Sequence, residues 1–323
     1  MQFRTALTIP ASDHKISHEN GILTIGSCFS QHIGEKLQKY KFKCISNPFG
    51  TVFNPISLAK LIQYSLTQQM ISSGDLKQSQ GVWVHPDFHS SFSHVDQQKL
   101  MENINSSIHG LYEYWKKINY VCITLGTSFA YQDKESGNIV SNCHKLPMYL
   151  FDKVEISVDQ GVEILGKTFE SIWTMNPDIH VILTVSPVRH IKDGIIQNTQ
   201  SKAKLHLMVQ ELVASRQQVS YFPAYEWVMD DLRDYRYYEE DMIHPNSMAV
   251  EYIWQKFVDC YFDTSTTKLT QRLEEIYKAI AHRPFHPNSI DHITFKSHML
   301  KKIQDLQHEF PILDLRNEFD YFV

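Results

Sequence analysis

Two short segments of the chain carry the residue types that nucleophilic catalysis needs. The first, Ile25-Gly26-Ser27-Cys28-Phe29, places a hydroxyl and a thiol directly after a glycine, at the start of a predicted helix. Free backbone N–H groups and the helix dipole at such a position stabilise an anion or a thiolate. A structural alternative makes Ser27 a helix N-cap and Cys28 a small buried apolar residue.

The second segment, Asp241-Met242-Ile243-His244-Pro245-Asn246, precedes another predicted helix. An acid three residues before a histidine orients the imidazole and stabilises its charged form, which a general base requires. In the alternative interpretation, Asp241 or Asn246 caps the helix and His244 is an ordinary surface residue.

Alternating strands and helices must position these two segments. Near-continuous apolar runs predict strands of a parallel sheet that is covered on both faces. Amphipathic segments between them predict helices, and the alternation indicates a doubly wound α/β fold with its sites at the carboxyl ends of the strands. The predicted strands are Gly21–Ile25, Lys43–Ile45, Tyr120–Leu125, Ile179–Val185 and Val219–Phe222, and the predicted helices are Phe29–Tyr40, Gln97–Lys117, Gly161–Met175, Ser201–Arg216 and Asn246–Phe262.

The character of the sequence changes past about Asp263. Leu269–Ala281 and Ser289–Phe310 have helical patterns and are joined by a turn with two prolines. We therefore expect an α/β domain over residues 1–262 and a helical extension over residues 263–323.

Composition excludes several classes of protein. The chain has 323 residues, of which 42% are hydrophobic and 21% charged, so it has ample material for a packed core and is not a disordered or low-complexity protein. A net charge of −5 without a basic stripe argues against a nucleic-acid partner. No window approaches the roughly 20 apolar residues that a membrane span needs, so no membrane partner is expected.

The five cysteines and the segment Met1–Asn20 indicate the cellular compartment of the protein. Five scattered cysteines with no Cys-x-x-Cys pair argue against a disulfide framework. Met1–Asn20 has no basic run leading into an apolar core, which argues against a signal peptide. We expect a soluble cytoplasmic protein, whose oligomeric state the sequence leaves open.

Several motifs together resemble known families. ILTIGSCFSQHIGEKL is similar to the opening block of the SGNH/GDSL hydrolases, and DMIHPN is similar to their closing Asp-x-x-His block. More narrowly, the chain resembles the GSCFA family, a bacterial branch related to that superfamily. The resemblance rests on SNPFGTVFNP (Ser46–Pro55), DFHSSFSH (Asp87–His94), ITLGTSFAY (Ile123–Tyr131), NCHKLP (Asn142–Pro147), SPVRHIKDG (Ser186–Gly194) and RDYRYYEEDMIHPN (Arg233–Asn246), with HRPFHP (His282–Pro287) as an extension.

The resemblance implies an α/β fold of the flavodoxin-like kind, as in SGNH hydrolases. The expected architecture is a three-layer α/β/α sandwich with a parallel five-stranded sheet, followed by the C-terminal helical addition.

The resemblance also nominates a nucleophile. Aligned without gaps on the Gly-Asp-Ser-Leu block, the chain has Ser27 in the aspartate position and Cys28 in the position of the nucleophilic serine. A one-residue shift would make Ser27 the nucleophile instead, but adjacent residues at a helix start point in different directions, so only one of them can face His244. We favour Cys28, because a thiol at a helix N-terminus is the easier nucleophile to activate.

Oxyanion donors follow from the same resemblance. The nucleophile's own N–H is the first donor, and Gly50 matches the second-block glycine whose N–H is the next. Ser128 occupies the position of the third-block asparagine. A serine hydroxyl can also donate, but from a shorter arm, so this departure bears on catalytic strength or substrate class.

Other polar residues in the shared motifs are expected to line the substrate pocket. Arg189 follows the fourth predicted strand, where it either binds a carboxylate or phosphate of the substrate or pairs with Asp193 or Glu226. Tyr235–Tyr238 either stacks on a sugar ring or packs the Asp-x-x-His loop against the sheet. The pocket residues are Asn47, Asp87, His89, Asn142, His144, Arg189 and His190, with Ser90 beside them.

The resemblance implies an acyl-ester hydrolase or O-acyltransferase that acts on a small-molecule or carbohydrate ester. Cys28 would attack the ester carbonyl, His244 would act as general base and then general acid, and Asp241 would orient His244. No cofactor is expected.

Two other functions stay open. A non-catalytic binding module that keeps the fold is favoured by the changed first block and the missing third-block asparagine. A metal-dependent hydrolase is suggested by the 17 histidines. No His-Glu-x-x-His motif or Cys/His spacing typical of zinc occurs, so no metal site is expected.

Overall fold

The computed structural model describes residues 5–323, so residues 1–4, which begin the segment Met1–Asn20, lie outside the described chain. The strands of the described chain are β1 (Gly21–Gly26), β2 (Lys43–Ser46), β3 (Lys77–Ser79), β4 (Val82–Val84), β5 (Ile118–Leu125), β6 (Phe129–Asp133), β7 (Ile139–Val140), β8 (Phe151–Glu155), β9 (His180–Val185) and β10 (Val219–Tyr221).

The helices occupy most of the chain between and after these strands. They are α1 (Cys28–Lys39), α2 (Pro55–Thr67), α3 (Gln97–Trp115), α4 (Val158–Met175), α5 (Ile195–Ser215), the one-turn α6 (Ala224–Glu226), α7 (Ser247–Tyr261), α8 (Thr264–Ala281), α9 (Ile290–Glu309) and α10 (Arg316–Phe322).

A five-stranded parallel sheet with the order β10-β9-β5-β1-β2 forms the centre of the molecule. Counted along the chain, these strands have the flavodoxin-like order 2-1-3-4-5, in which the order reverses between β1 and β5. All five predicted strands are present with bounds shifted by one or two residues, and the predicted fold class is confirmed. Ligands of such sheets bind at the carboxyl edge near that reversal, where β1 delivers Ser27 and Cys28.

Two apolar cores cover the faces of the sheet, because successive strand residues point to opposite sides. The first core packs the sheet against α2, α3, α4 and α5, and the second packs it against α1 and α7. The two cores make the three layers of an α/β/α sandwich. Leu23, Val121 and Leu183 lie in the first core, and Ile22, Cys122 and Ile182 lie in the second.

The C-terminal helices continue the second core. Leu273 of α8, Ile303 of α9 and Phe322 of α10 belong to the same apolar cluster as Leu37 of α1 and Ile253 of α7. Helix α8 begins at Thr264, five residues before the predicted start, because Asp263 caps it by accepting a hydrogen bond from the Thr266 N–H. The extension therefore shares its buried surface with the α/β part.

Several elements differ from the sequence prediction. Helix α2 was missed, although Asn54 at its N-cap and Pro55 in its first turn are ordinary start signals. The antiparallel pair β3–β4 and the three-stranded sheet β7-β6-β8 were missed too, since their strands have two to five residues and no long apolar run. Helix α5 begins at Ile195, six residues earlier than predicted.

Within residues 5–323, none of the helices is both long and apolar enough to cross a lipid bilayer.

Close approach of α1 to the sheet gives a stability prediction. A Cβ on Gly34 would lie 2.3 Å from Ser46 Oγ and 2.6 Å from Thr24 Oγ1, so Gly34→Ala should lower the free energy of unfolding by about 1–3 kcal/mol. Gly110 of α3 is the matched control, since a Cβ there meets nothing within 4 Å and Gly110→Ala should stabilise by about 0.5–1 kcal/mol. Urea unfolding measures both, and equal stabilities of the two variants would contradict the packing.

Candidate active site

The turn from β1 into α1 passes very close to the end of β5. Gly26 has φ +137°, and a Cβ there would lie 2.2 Å from the Thr124 carbonyl oxygen. The next residue is anchored to the same carbonyl, because the Ser27 N–H donates to Thr124 O at 3.2 Å. Only glycine fits this crossing, which fixes where the two candidate nucleophiles lie.

Ser27 and Cys28 have different environments. The Ser27 hydroxyl accepts a hydrogen bond from the Phe29 N–H at 3.3 Å and the residue is 2% exposed, so Ser27 is the N-cap of α1. Cys28 is a free thiol and is partly exposed. The side chain that a substrate can reach from solvent is therefore Cys28.

Burial dominates the ionisation of Cys28. It raises the pKa of the thiol, and the opposing effects of the Phe29 and Cys28 backbone N–H groups and of the Lys202 charge do not overcome it. The expected helix N-terminal stabilisation is present, but the net direction is opposite to the one that the sequence suggested. The partly buried Cys28 sulfur therefore needs a proton acceptor to become a thiolate.

Asp241 and His244 form a tightly bonded pair. The His244 Nδ1 and Asp241 Oδ2 atoms are 2.6 Å apart, and Asp241 Oδ1 accepts from the backbone N–H groups of Ile243 and His244, both at 2.9 Å. These bonds hold the pKa of Asp241 low, at about 2, so the carboxylate stays charged. Among described residues, His244 Nε2 has no hydrogen-bond partner, which leaves it available for proton transfer.

Neighbouring backbone holds this loop in place. Asn246 caps α7 by accepting from the Met248 and Ala249 N–H groups, while its own amide donates to Arg236 O at 2.7 Å. The backbone of Tyr238 pairs with Pro245 in an isolated bridge. The backbone of Arg236 and Tyr238 therefore packs against the Asp-x-x-His loop. The Tyr235 ring, in contrast, is 75% exposed and lies along a cleft.

The loop of residues 47–54 crosses the carboxyl edge above β1 and β5. The Gly26 N–H donates to Asn47 Oδ1 at 2.9 Å, and Phe53 O accepts from the Gly126 and Thr127 N–H groups at 2.7 and 3.1 Å. Asn47 therefore supports the turn before Cys28. The loop of residues 47–54 therefore binds the end of β1 and the end of β5 at the same time.

Neither predicted oxyanion residue offers a donor that is both free and accessible. The Gly50 N–H donates to Asn47 O at 2.8 Å in a turn. Ser128 is fully buried, its N–H donates to Ser201 Oγ at 2.7 Å, and its own hydroxyl has no hydrogen-bond partner within residues 5–323. A substrate could contact either group only after a local rearrangement.

Among the predicted pocket residues before β8, His89 contacts Gly50 and Asn142 is joined to the neighbouring Ser90. A Cβ on Gly50 would lie 2.2 Å from His89 Cβ, so the two residues are in direct contact. Asn142 donates to Ser90 Oγ at 2.9 Å, and both His89 and Asn142 keep partial exposure. These two can reach a substrate.

Asp87 and His144 have structural contacts instead. Asp87 is 2% exposed and accepts from Lys60 Nζ at 2.9 Å and Tyr64 Oη at 2.9 Å. The His144 ring is buried and its Nε2 bonds to the His85 carbonyl at 2.8 Å. Both residues support the segment that carries His89.

Arg189 lies in a cleft of about 510 Å³ that also contains Asp241. Its predicted alternative partners are engaged elsewhere, because Asp193 pairs with Lys153 at 2.7 Å and Glu226 bonds to Tyr221 at 2.7 Å. Within the described chain, Arg189 pairs with no carboxylate. Its guanidinium donates to Met229 Sδ at 3.3 Å, and a guanidinium that forms no ion pair is suited to an anionic group of a ligand.

Lys202 is the site residue that sequence reasoning missed. It is 1% exposed, and its Nζ donates to Gly126 O at 2.6 Å and Ser186 O at 2.7 Å. Burial, together with the Arg189 charge, lowers the pKa of Lys202 to about 7, although Cys28 opposes this shift. A signal existed in the sequence, since Lys202 interrupts the apolar stripe that Leu205, Val209 and Leu212 continue on α5.

His190, in the loop after β9, interacts with the charges of Lys202 and His244. Its ring packs edge-to-face on Phe53 with centroids 5.3 Å apart. Burial is the largest cause that lowers its pKa to about 4, and the charges of Lys202 and His244 lower it further, while Asp193 raises it. His244 and Lys202 therefore lie near a common neighbour at the carboxyl edge.

A cluster of metal ligands does not occur among residues 5–323, where no group of three or more His, Cys, Asp or Glu side chains is placed to hold an ion.

His190 gives a pH prediction. Its pKa falls from 6.5 in the unfolded chain to about 4 in the folded protein, so between these values the unfolded chain binds more protons and stability falls as the pH falls. His190→Asn should make the loss of unfolding free energy between pH 6.5 and pH 4 smaller by about 2 kcal/mol. Urea unfolding across this range measures it, and an unchanged pH slope would contradict a neutral His190.

Comparison with known proteins identifies the family. Residues 21–257 match the GSCFA family, and residues 273–323 match the C-terminal domain of GSCFA domain proteins. A comparison with curated proteins finds no significant match. The first match spans the whole five-stranded sheet, the Cys28 turn and the Asp241–His244 pair. The chain belongs to the GSCFA family.

Proposed function

We propose that this protein is an acyl-ester hydrolase or O-acyltransferase of the SGNH type, which forms a covalent acyl-enzyme on Cys28. The observation that carries the proposal is the Asp241–His244 pair. Its 2.6 Å bond leaves His244 Nε2 without a partner in the described chain. His244 and Lys202 both act on the ionisation of His190, and Lys202 also interacts with Cys28, which supports a common site for the base and the thiol. A partly exposed nucleophile, a base and an orienting acid are the set that acyl transfer needs.

The proposed reaction has two halves. The Cys28 sulfur attacks the ester carbonyl carbon while His244 accepts the thiol proton, and the collapsing tetrahedral intermediate expels the alcohol, which takes that proton. Water or an acceptor hydroxyl then attacks the thioester carbonyl while His244 accepts its proton. The C–S bond breaks, the acid or the new ester leaves, and the Cys28 sulfur takes the proton from His244. We assign the Cys28 N–H, at the start of α1, as a donor to the developing oxyanion, since the Phe29 N–H already donates to the Ser27 hydroxyl.

The lining of the cleft supports the proposed substrate class. Arg189 favours an ester with a carboxylate or phosphate, and the exposed ring of Tyr235 suits a small molecule or a carbohydrate face. No cofactor enters this mechanism. Five free thiols fit a reducing compartment, so we infer a cytoplasmic location.

A non-catalytic binding module is the second candidate, and two observations favour it. The Gly50 N–H is engaged with Asn47, and the Ser128 hydroxyl is fully buried. A ligand held by Arg189 in the cleft would then bind without reacting. The kinetic experiment below separates the two functions.

Cys28→Ala should abolish the rapid first release of nitrophenol when the protein meets an activated nitrophenyl ester. His244→Asn should slow that release by about 10²–10⁴-fold, because the thiol loses its proton acceptor. Stopped-flow absorbance measures the burst. Cys143→Ala is the matched control, since Cys143 is also a partly exposed free thiol and should leave the burst intact.

Ser27→Ala extends this experiment. It removes the N-cap of α1 and should cost about 1 kcal/mol of stability, but the burst should persist. A native protein that releases nitrophenol no faster than Cys28→Ala would reject acyl transfer and favour the binding module.

Arg189→Met should lower kcat/KM for an ester with a free carboxylate by about 10–100-fold, because a charge-assisted hydrogen bond is lost. A neutral ester of the same length should be affected little. Arg233→Met is the matched control, since Arg233 lines the same cleft but already pairs with Asp230 at 2.7 Å. Equal losses for charged and neutral esters would contradict an anion-binding role.

A further inference from the structure

Four large apolar side chains are exposed together around the cleft that contains Arg189. Ile191, Ile195, Tyr235 and Met242 line this cleft, and each of them is at least half exposed. Leaving such side chains in water is unfavourable, and an exposed apolar patch along a groove is typical of a binding site. The cleft has a volume of about 510 Å³, which lies within the range of small-molecule sites.

A rare type of turn continues the apolar lining of the cleft. Val228 and Met229 lie on a single π-helical turn, Trp227–Asp231, in which the Leu232 N–H donates to Trp227 O at 3.0 Å, five residues back along the chain. Turns with this hydrogen-bond spacing are frequent at functional sites. The unbranched, polarisable side chain of a methionine adapts to the shape of an apolar ligand.

The charged side chains of the cleft are paired, with one exception. Three of the four have ion-pair partners at 2.7, 3.0 and 2.6 Å, in the pairs Arg233–Asp230, Asp234–Arg236 and Asp241–His244. The fourth, Arg189, forms no ion pair with any residue of the described chain, and its guanidinium donates to the Met229 sulfur, a weak acceptor. The cleft therefore offers one uncompensated positive charge beside an apolar lining.

We propose that this cleft binds an anionic amphiphile, with a carboxylate on Arg189 and an unbranched hydrocarbon chain along Ile191, Ile195 and Met242. The planar N–H pair of a guanidinium matches the two oxygens of a carboxylate, which favours this anion. As a statement about the substrate, the inference rests on the proposed function and specifies an ester that carries both a free carboxylate and such a chain. As a statement about binding, it needs neither Cys28 nor a reaction.

Calorimetric titration of the full-length Cys28→Ala chain with acetate, butanoate, hexanoate and octanoate tests this inference. The affinity should rise about three- to fourfold for each added methylene, because the cleft removes the chain from water. Octanoate should bind most tightly of the four and with one molecule per chain. Octylammonium, which has the same chain and the opposite charge, should not compete with it.

Arg189→Met separates the contribution of the charge from that of the apolar lining. It should lower the affinity for octanoate by at least about tenfold, because a charge-assisted hydrogen bond is lost, and should leave the affinity for 1-octanol unchanged. An equal loss for octanoate and 1-octanol would contradict the placement of the carboxylate.

Two exposed positions test the path of the chain without disturbing the core. Ile195→Ser and Met242→Ser should each lower the affinity for octanoate about three- to tenfold and leave that for acetate unchanged. Ile196→Ser is the matched control, because Ile196 is the next residue of α5 and is similarly exposed but does not line the cleft. It should bind octanoate like the parent chain.

The outcomes are separable from those of the ester experiment. Equal affinities for the four carboxylates, or equal losses in Ile195→Ser and Ile196→Ser, overturn the inference. Octanoate binding that depends on chain length and on Arg189 supports it even in a protein that shows no nitrophenol burst. A burst from a protein that binds all four carboxylates equally overturns this inference and leaves acyl transfer standing.

Discussion

The carbonyl groups at the carboxyl edge of the sheet must all find donors, and the site is built from the way they do so. Strands β1, β5 and β9 end side by side, where their last carbonyls have no further strand to pair with. Gly26 O accepts from the Val52 N–H at 2.9 Å, and Thr124 O accepts from the Ser27 N–H. Lys202 Nζ donates to the Gly126 and Ser186 carbonyl oxygens, which follow β5 and β9. These donors hold the ends of the three strands in place beside the turn that carries Cys28.

This arrangement creates an electrostatic conflict at Cys28. The turn that satisfies Thr124 O also buries the thiol, and burial raises the pKa of the thiol although two backbone N–H groups oppose this effect. The same crowding buries the Lys202 ammonium and lowers its pKa. Burial therefore favours the neutral form of both groups, the Cys28 thiol and the Lys202 amine. The Asp241–His244 pair is largely exposed, and its loop is held by Asn246 and Tyr238.

The sequence predicted what depends on local pattern. Apolar runs ending in Gly26 or Pro223 identified the strands, and their alternation with helices predicted the layers, because buried parallel strands have a recognisable composition. The spacing of Asp241 and His244 predicted their contact, since three residues on a turn bring the side chains together. The N-cap alternative for Ser27 was also a local inference, and it agrees with the structure.

What the sequence could not predict depends on contacts distant in the chain. The approach of the loop of residues 47–54 to β5 engages the Gly50 N–H and closes over Gly126, which no local pattern indicates. Ser128 is buried because Ser201, 73 residues away, accepts its N–H. Lys202 bridges carbonyls 76 and 16 residues distant. The direction of the pKa shift at Cys28 follows from that burial, and so it was opposite to the direction expected from a helix N-terminus alone.

The most direct measurement is the position of the acyl group after brief exposure to an activated acetate ester, by peptide mass spectrometry of the native chain and of His244→Ala. The account predicts one acetyl group on the Cys28 peptide, attached to sulfur and removed by hydroxylamine at neutral pH, which forms far more slowly without His244. An acetyl group on Ser27, or a Cys28 adduct that forms equally fast without His244, would contradict it.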